Sequence, residues 1–133
     1  PKARTADAAW VRDDKRFGEA VAQLRAYFSG RLESFDLPLE ASATPFQNRV
    51  LGALQEIPYG ETRTYRDIAR AVGSPKAVRA VGSANGANPI AIIIPCHRVV
   101  GSNGSLTGFA GGLPAKRFLL DLESRDGKWH FSN

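Results

Sequence analysis

A single cysteine marks the point of this sequence richest in possible chemistry. Cys96 follows Pro95 and precedes His97 and Arg98. Proline fixes the backbone just ahead of the thiol, and an adjacent imidazole and guanidinium favour its thiolate electrostatically. The thiolate is the nucleophile, and a free thiol ionises at about 8.5, so it needs help near neutrality. A histidine acting as base, itself oriented by a carboxylate, is the general solution. Glu123, downstream on a helix that carries core residues, is the candidate third member. The stretch Gly101–Gly112 holds five glycines and is long enough to form a pocket wall. The competing readings are a buried structural cysteine and a histidine that merely sits at the surface.

Other chemistries are excluded by counting. One cysteine cannot form an internal disulfide, and one cysteine with two histidines, without CxxC or HxxxH spacing, cannot fill a structural zinc site. Neither a metal nor a cofactor is expected. The 133 residues, 43% hydrophobic and 23% charged, suit one globular domain or slightly more, not a disordered, collagen-like or disulfide-stapled chain. No apolar run reaches ~18 residues and no secretory leader is visible, so an intracellular protein is expected. The chain has no methionine, which suggests a processed product, a fragment or a missing start.

Eighteen Lys and Arg face thirteen Asp and Glu, a net charge of +5. The distribution says more. No acid lies between Asp67 and Asp121, a stretch carrying Arg70, Lys76, Arg79, Arg98, Lys116 and Arg117. An acid-free basic tract inside a folded domain suggests a polyanion partner, against the plainer reading of a solvated face.

The elements that must position these groups read as mainly helical. Phe17, Val21, Leu24 and Phe28 form an amphipathic stripe over Asp14–Ser29, with Gly30 as a stop. Arg31–Ala43, containing Pro38, reads as a linker. Thr44-Pro45-Phe46-Gln47 has the form of a capped helix start, continued by Val50, Leu54 and Ile57 to Pro58-Tyr59-Gly60. Thr64 opens a helix through Ile68, Ala69 and Val72 to Gly73, and Ser74-Pro75 starts another reaching Ala84. Asn85-Gly86 and Asn88-Pro89 break the chain. Ile90–Ile94 then reads as a short buried strand or extended segment leading to Cys96. Pro114–Glu123 is a last helix, with Phe118, Leu119 and Leu122 facing the core, and Trp129 and Phe131 lie in a tail that can pack back.

The two helices flanking Gly73-Ser74 fit a helix-turn-helix. The second holds Lys76, Ala77, Val78, Arg79, Ala80, Val81, Gly82 and Ser83. Base readout needs long polar side chains, and nearly every position here is small. Such a helix can approach a nucleic-acid backbone closely but specifies little; otherwise it is simply an alanine-rich packed helix.

These residues carry a resemblance. Ile94-Pro95-Cys96-His97-Arg98-Val99 resembles the active-site signature of the O6-alkylguanine–DNA alkyltransferases, or methylated-DNA–protein-cysteine methyltransferases. Phe46-Gln47 with Val50, Ile57-Pro58-Tyr59-Gly60-Glu61, Thr64-Tyr65, Ala77 to Gly82, Asn88-Pro89, Gly111-Gly112, Lys116, Leu119-Leu120 and Glu123 follow in family order. The likeness runs from about Trp10 to Glu123. It implies that Cys96 accepts the alkyl group, that His97 deprotonates it through a water, that Glu123 orients His97, and that Asn88 braces the turn before the nucleophile. It implies DNA binding by Thr64, Tyr65, Lys76, Ala77, Arg79, Ala80 and Gly82, the helix entering the minor groove. Tyr65 would press on the target phosphate and Arg79 would fill the gap left by a flipped base. Val99, Phe109, Ala110, Gly111 and Tyr65 would surround the guanine. Two departures stand out: Phe109 lacks the hydroxyl that many members carry there, and Ala110 replaces a serine or bulkier residue.

The resemblance further implies a mainly α fold, α+β if a missing N-terminal domain is counted, with residues 1–43 a remnant of that domain and 44–133 the DNA-binding, alkyl-accepting domain. The implied function is single-turnover transfer of an alkyl group from O6 of guanine, and from O4 of thymine as an extension, in double-stranded DNA. The protein would be a monomer without membrane association, cytoplasmic near the nucleoid in a bacterium or nuclear in a eukaryote. Two alternatives are a non-catalytic lesion-recognition protein of the same fold and a helix-turn-helix regulator with an inert cysteine.

Overall fold

The computed structural model describes residues 14–37, 39, 43–106, 109 and 111–129. Pro38, Ala110 and Phe131 therefore lie outside the described residues. Among the described residues the chain is mainly helical, with five α-helices, one 3-10 turn and a two-stranded parallel sheet. It divides into two compact units, Pro1–Ser42 and Ala43–Asn133.

In the first unit, helix α1 spans Asp14–Phe28 and ends at Gly30, whose φ of +78° is a left-handed conformation that glycine adopts without steric cost. The expected stripe is rotated. Phe17 and Phe28 are 55% and 44% exposed, while Tyr27 is fully buried. The reason is local: Tyr27 meets Phe28 edge-on at 5.3 Å and Phe35 at 5.4 Å, so the aromatic cluster rather than the four-residue repeat decides which face turns in. Gln23 secures the returning chain, its amide donating to Asp36 O at 3.0 Å and accepting from Asp36 N at 2.8 Å.

The second unit begins with α2, Pro45–Gln55. Thr44 Oγ1 accepts from Gln47 N and Gln47 Oε1 accepts from Thr44 N, both at 3.1 Å, a closed capping box with Pro45 in the first turn. Val50, Leu51, Leu54 and then Ile57 enter the core. A second box opens α3, Tyr65–Ala71, where Thr64 Oγ1 and Asp67 exchange bonds of 3.0 and 2.9 Å. Gly73, at φ +77°, turns the chain after it. Strand β1, Arg63–Thr64, lies parallel to β2, Val99–Val100, with Arg63 opposite Val99 and Thr64 opposite Val100. A parallel pair needs a crossover, and everything from α3 to the nucleophile supplies it. Two-residue strands are too short to show alternation, so neither is visible in the sequence.

Helix α4 spans Val78–Gly86, later at both ends than expected. Ala77 N bonds to Ser74 O at 2.8 Å, closing a turn over Pro75 and Lys76, so the proline belongs to the turn rather than to a first helical position. Lys76 and Ala77 thus precede the helix. Asn85-Gly86 does not break it, because Asn85 is buried on its inner face.

The run Ile90–Ile94 is not a strand. It folds into a turn in which Ile94 N bonds to Ile90 O at 2.9 Å and Ile92 takes a φ of +75°. Asn88 imposes this: Oδ1 accepts from Ile90 N at 3.0 Å and Nδ2 donates to Ile94 O at 2.8 Å. Side-chain bonds to the backbone thereby replace ladder bonds. Ile94 is buried, whereas Ala91 is exposed. A left-handed β-branched residue costs about 1–3 kcal/mol and persists only when its surroundings dictate it.

The last helix, α5, spans Leu113–Glu123. Its buried face is Lys116, Leu119, Leu120 and Glu123, and Phe118 is 57% exposed. The spacing of three, one and three is a helical stripe, two of whose members are charged. The chain after α5 returns to it, with Trp129 N bonded to Asp121 Oδ1 at 2.7 Å and the Arg117 guanidinium 5.8 Å from the Trp129 ring.

Candidate active site

The 3-10 turn Cys96–Arg98 places three consecutive side chains into the core, packed against α5. Cys96 is 5% exposed and its backbone N donates to Ile94 O at 2.8 Å, the same carbonyl that Asn88 holds. Asn85, from α4, reaches Cys96 O through Nδ2 at 3.4 Å. Burial pushes the Cys96 thiol above its ordinary range, opposed by a hydrogen bond from Asn88 and by the charge of Lys116. Burial therefore favours the thiol over the thiolate.

His97 is fully buried, and its Nε2 lies 2.7 Å from Glu123 Oε2. Nδ1 is buried with no hydrogen-bond partner among the described residues. An ionised Glu123 accepts from Nε2–H, which leaves Nδ1 as the acceptor nitrogen.

Arg98 grips the same carboxylate with two bonds, Nε to Oε1 at 2.7 Å and Nη2 to Oε2 at 2.9 Å. Its remaining Nη1 donates to Ile57 O at 2.7 Å, at the end of α2, and the guanidinium lies 5.7 Å from the Tyr59 ring. Lys116, fully buried, donates through Nζ to Val99 O at 2.6 Å and lies 6.0 Å from the Tyr65 ring. Desolvation lowers its ammonium from 10.5 to about 8, and the neighbouring Cys96 pulls the other way.

Of the sequence-derived candidates, Cys96, His97, Asn88 and Glu123 meet in one cluster. Val99 lies beneath Lys116 and is itself buried. Phe109 is half-buried, and a Cβ at Gly111 would stand 2.9 Å from its ring, so the glycine leaves room for that phenyl. Arg79 and Ala80 are exposed on α4, Lys76 is exposed in the preceding turn, and Ala77, Gly82 and Tyr65 are half-buried. Thr64 spends its hydroxyl on capping α3.

The basic tract is less of a surface than its sequence suggests. Arg98 and Lys116 are buried in the cluster, and Arg117 pairs with Asp121 at 3.2 Å. Arg70, Lys76 and Arg79 are the exposed remainder. The clasp of Arg98 on Glu123 and the burial of Lys116 escape a reading of the sequence by charge. Their one signal is position, since Lys116 and Glu123 occupy apolar slots of the α5 stripe.

Comparison with known proteins agrees with this geometry. Residues 45–125 match the family model described as 6-O-methylguanine DNA methyltransferase, DNA binding domain. Residues 2–41 match the ribonuclease-like domain of the same family. A methylated-DNA–protein-cysteine methyltransferase of Methanosarcina barkeri is 62% identical over 119 residues, covering 90% of this chain and 75% of that protein. The crystal structure of Mycobacterium tuberculosis OGT in complex with DNA superposes with a TM-score of 0.79 at 57% identity, over 83% of this chain and 71% of that one. An S. pombe protein in complex with damaged DNA containing O6-carboxymethylguanine matches at 0.54 and 36% identity, over 62% of this chain and 79% of that one. With its nucleophile segment and helical frame matched along most of its length, the chain belongs to the 6-O-methylguanine DNA methyltransferase family.

Proposed function

We propose that this protein repairs DNA by direct reversal, moving an alkyl group from O6 of guanine to Cys96 Sγ in one irreversible step, through the residues assigned below. The observation that carries the reading is the buried sequence Cys96–His97–Glu123, with a 2.7 Å bond between base and carboxylate and the opposite ring nitrogen open.

In this mechanism Nδ1 of His97 takes the thiol proton through a bridging water, and Glu123 stabilises the imidazolium. The thiolate attacks the alkyl carbon, forming S–C as C–O6 breaks. Guanine leaves with its ring nitrogen N1 protonated, so the net reaction moves one proton from sulfur to the base. Lys116 stabilises the developing sulfur charge, and Asn88 holds the nucleophile's backbone. Fixed donors in a dry pocket make guanine a competent leaving group; Phe109 offers a face for stacking but no donor. Water does not cleave a thioether, so each molecule acts once.

The target atom is inaccessible in a stacked duplex, so the nucleotide must rotate out at a cost of a few kcal/mol. Residues 44–133 are proposed as the domain that binds DNA and accepts the alkyl group. Arg79 fills the stack, Tyr65 and Thr64 meet the target phosphate, and Ala77, Ala80 and Gly82 admit the minor-groove wall, with Lys76 on a phosphate. A Cβ added to Gly82 would meet no protein atom within 4 Å. Folding alone therefore gives no reason for glycine there, whereas a closely approaching partner does. Val99, Phe109, Ala110 and Gly111 are proposed to line the guanine pocket. Among the described residues no helix is long and apolar enough to cross a membrane, and we place the protein in whichever compartment holds the DNA.

The deciding experiment is the intact mass after incubation with free O6-benzylguanine. One benzyl group on Cys96, and no more, is expected. DNA binding without any adduct would instead make the chain a lesion-recognition protein.

A further inference from the structure

We propose that Arg98 is a positioning residue for the transfer, setting both the proton state and the tautomer of His97 through the carboxylate that the two residues share. The proposal rests on the functional reading above and extends it to a residue outside the Cys96–His97–Glu123 relay.

Glu123 presents two oxygens, and three donors converge on them. Arg98 takes Oε1 through Nε and Oε2 through Nη2, while His97 meets Oε2 through Nε2. The carboxylate is 1% exposed, so it has little solvent to spread its charge. A lone carboxylate touching an imidazole favours the imidazolium, and an imidazolium has no acceptor nitrogen for a thiol proton. An arginine is permanently charged, and its planar fork matches both carboxylate oxygens. Arg98 therefore balances Glu123 before His97 does. With its charge balanced, the carboxylate draws a proton to the imidazole less strongly, which favours Nε2–H donating and Nδ1 open.

The fork also fixes the carboxylate plane, which fixes the ring to which it is bonded. Arg98 is held in turn by Ile57 O and covered by the Tyr59 ring, whose hydroxyl donates to Leu122 O at 3.3 Å, next to Glu123. The ionisable groups around His97 and Cys96 include, among the described residues, Glu123 and Lys116 from α5, Arg98 from the same turn, and Tyr59 and Tyr65 through their rings. Lys116 faces Cys96 and Val99 O. Arg98 is a cation bonded to the carboxylate that His97 touches.

The test is the rate of benzyl transfer from free O6-benzylguanine to Cys96, read by intact mass between about pH 5 and about pH 9, which covers the span of about pH 5 to 8 in which an imidazole changes charge. In Arg98→Gln the acid limb of the profile should move up by about one pH unit. Transfer then slows by up to about tenfold at the acid end, while rates converge with wild type at the alkaline end. Arg98→Lys keeps the charge and should keep the limb in place, with a lower plateau because the fork is lost. An equal slowing by Arg98→Gln at every pH, or a limb displaced as far by Arg98→Lys, overturns the proposal. Should Arg98→Gln fail to fold by near-UV circular dichroism, the Arg98→Met, Glu123→Gln double variant decides. It removes both charges together, so its limb must not lie above that of wild type, and a raised limb overturns the proposal. Absence of any adduct on the wild-type protein would bring down the functional reading as well; an adduct with an unmoved limb brings down only the role of Arg98.

Discussion

Helix α4 and the Cys96–Arg98 turn are neighbours built on opposite principles. On α4, Val78, Arg79 and Ala80 are exposed and a side chain at Gly82 would enter open space. In the turn, three successive residues are buried, and the charges of Arg98 and Glu123 are matched within 3 Å. The first leaves its side chains open to solvent, and the second satisfies its own charges within the core. On the proposed function the contrast separates binding from chemistry, so substitutions in one region should spare the other.

The hardest blow to that separation would come at His97. His97→Ala should slow alkyl transfer by about 10²–10⁴-fold, the range for loss of a general base, with duplex affinity nearly unchanged. Stopped-flow transfer measured beside DNA titration checks it, and matched losses in both would merge the two regions. Glu123→Gln should slow transfer too, but it strands Arg98 in the core. Breaking a buried pair on one side costs about 3–5 kcal/mol, so its melting temperature must be measured separately.

Next in size is a pH effect confined to the buried region. Lys116 has its ammonium depressed to about 8, so its contribution to stability is present above the ordinary 10.5 and is lost as pH falls through about 8. Cys96, shifted upward, acts with the opposite sign: its contribution is present below the ordinary thiol value and is lost as pH rises through the raised one. The comparison is therefore made in a Cys96→Ala background. There, relative to Lys116→Met, the Lys116 protein should lose up to ~3 kcal/mol in denaturant melts on going from strongly alkaline to neutral solution. Parallel stability curves for the two proteins would show that the amine is not truly desolvated.

Arg79→Ala tests the exposed region. It should impair repair in duplex DNA by about tenfold, since filling the stack offsets part of a few-kcal/mol extrusion cost, and should leave reaction with the free base analogue intact. Equal losses on both substrates would place Arg79 in the chemistry instead. The smallest effect belongs to Gly82→Leu. Replacing a helical glycine whose added Cβ would meet no neighbour should raise stability by up to ~1 kcal/mol while weakening duplex binding. Unchanged affinity in a salt-controlled titration would mean that α4 is not approached closely there.

The same contrast explains which features could be read in advance. Helix starts were legible wherever the side chain itself makes the cap, as at Thr44 with Gln47 and at Thr64 with Asp67. Pro75 misleads because proline suits a turn as well as a helix start, and a 2.8 Å bond from Ala77 N to Ser74 O settles which. Ile90–Ile94 has strand composition, yet Asn88 captures its backbone at both ends. On α5, charge conceals burial: Phe118 looks internal and Lys116 external, and each is the reverse, because Lys116 and Glu123 find partners in the core that no local pattern announces. The clustering of Cys96, His97 and Glu123 was legible because reactive chemistry restricts residue types more tightly than packing does.

Ile92 gives this machine a memory. Its left-handed backbone is a latch under tension, closed by Asn88 on the carbonyl that also receives Cys96 N. A methyl or benzyl group transferred to Sγ would crowd Asn88, whose side chain bonds to that thiol. A spent molecule should therefore carry its history as a loosened segment between α4 and the nucleophile, legible to a protease as a faster cut near Ile92 than in a molecule that has never met a lesion.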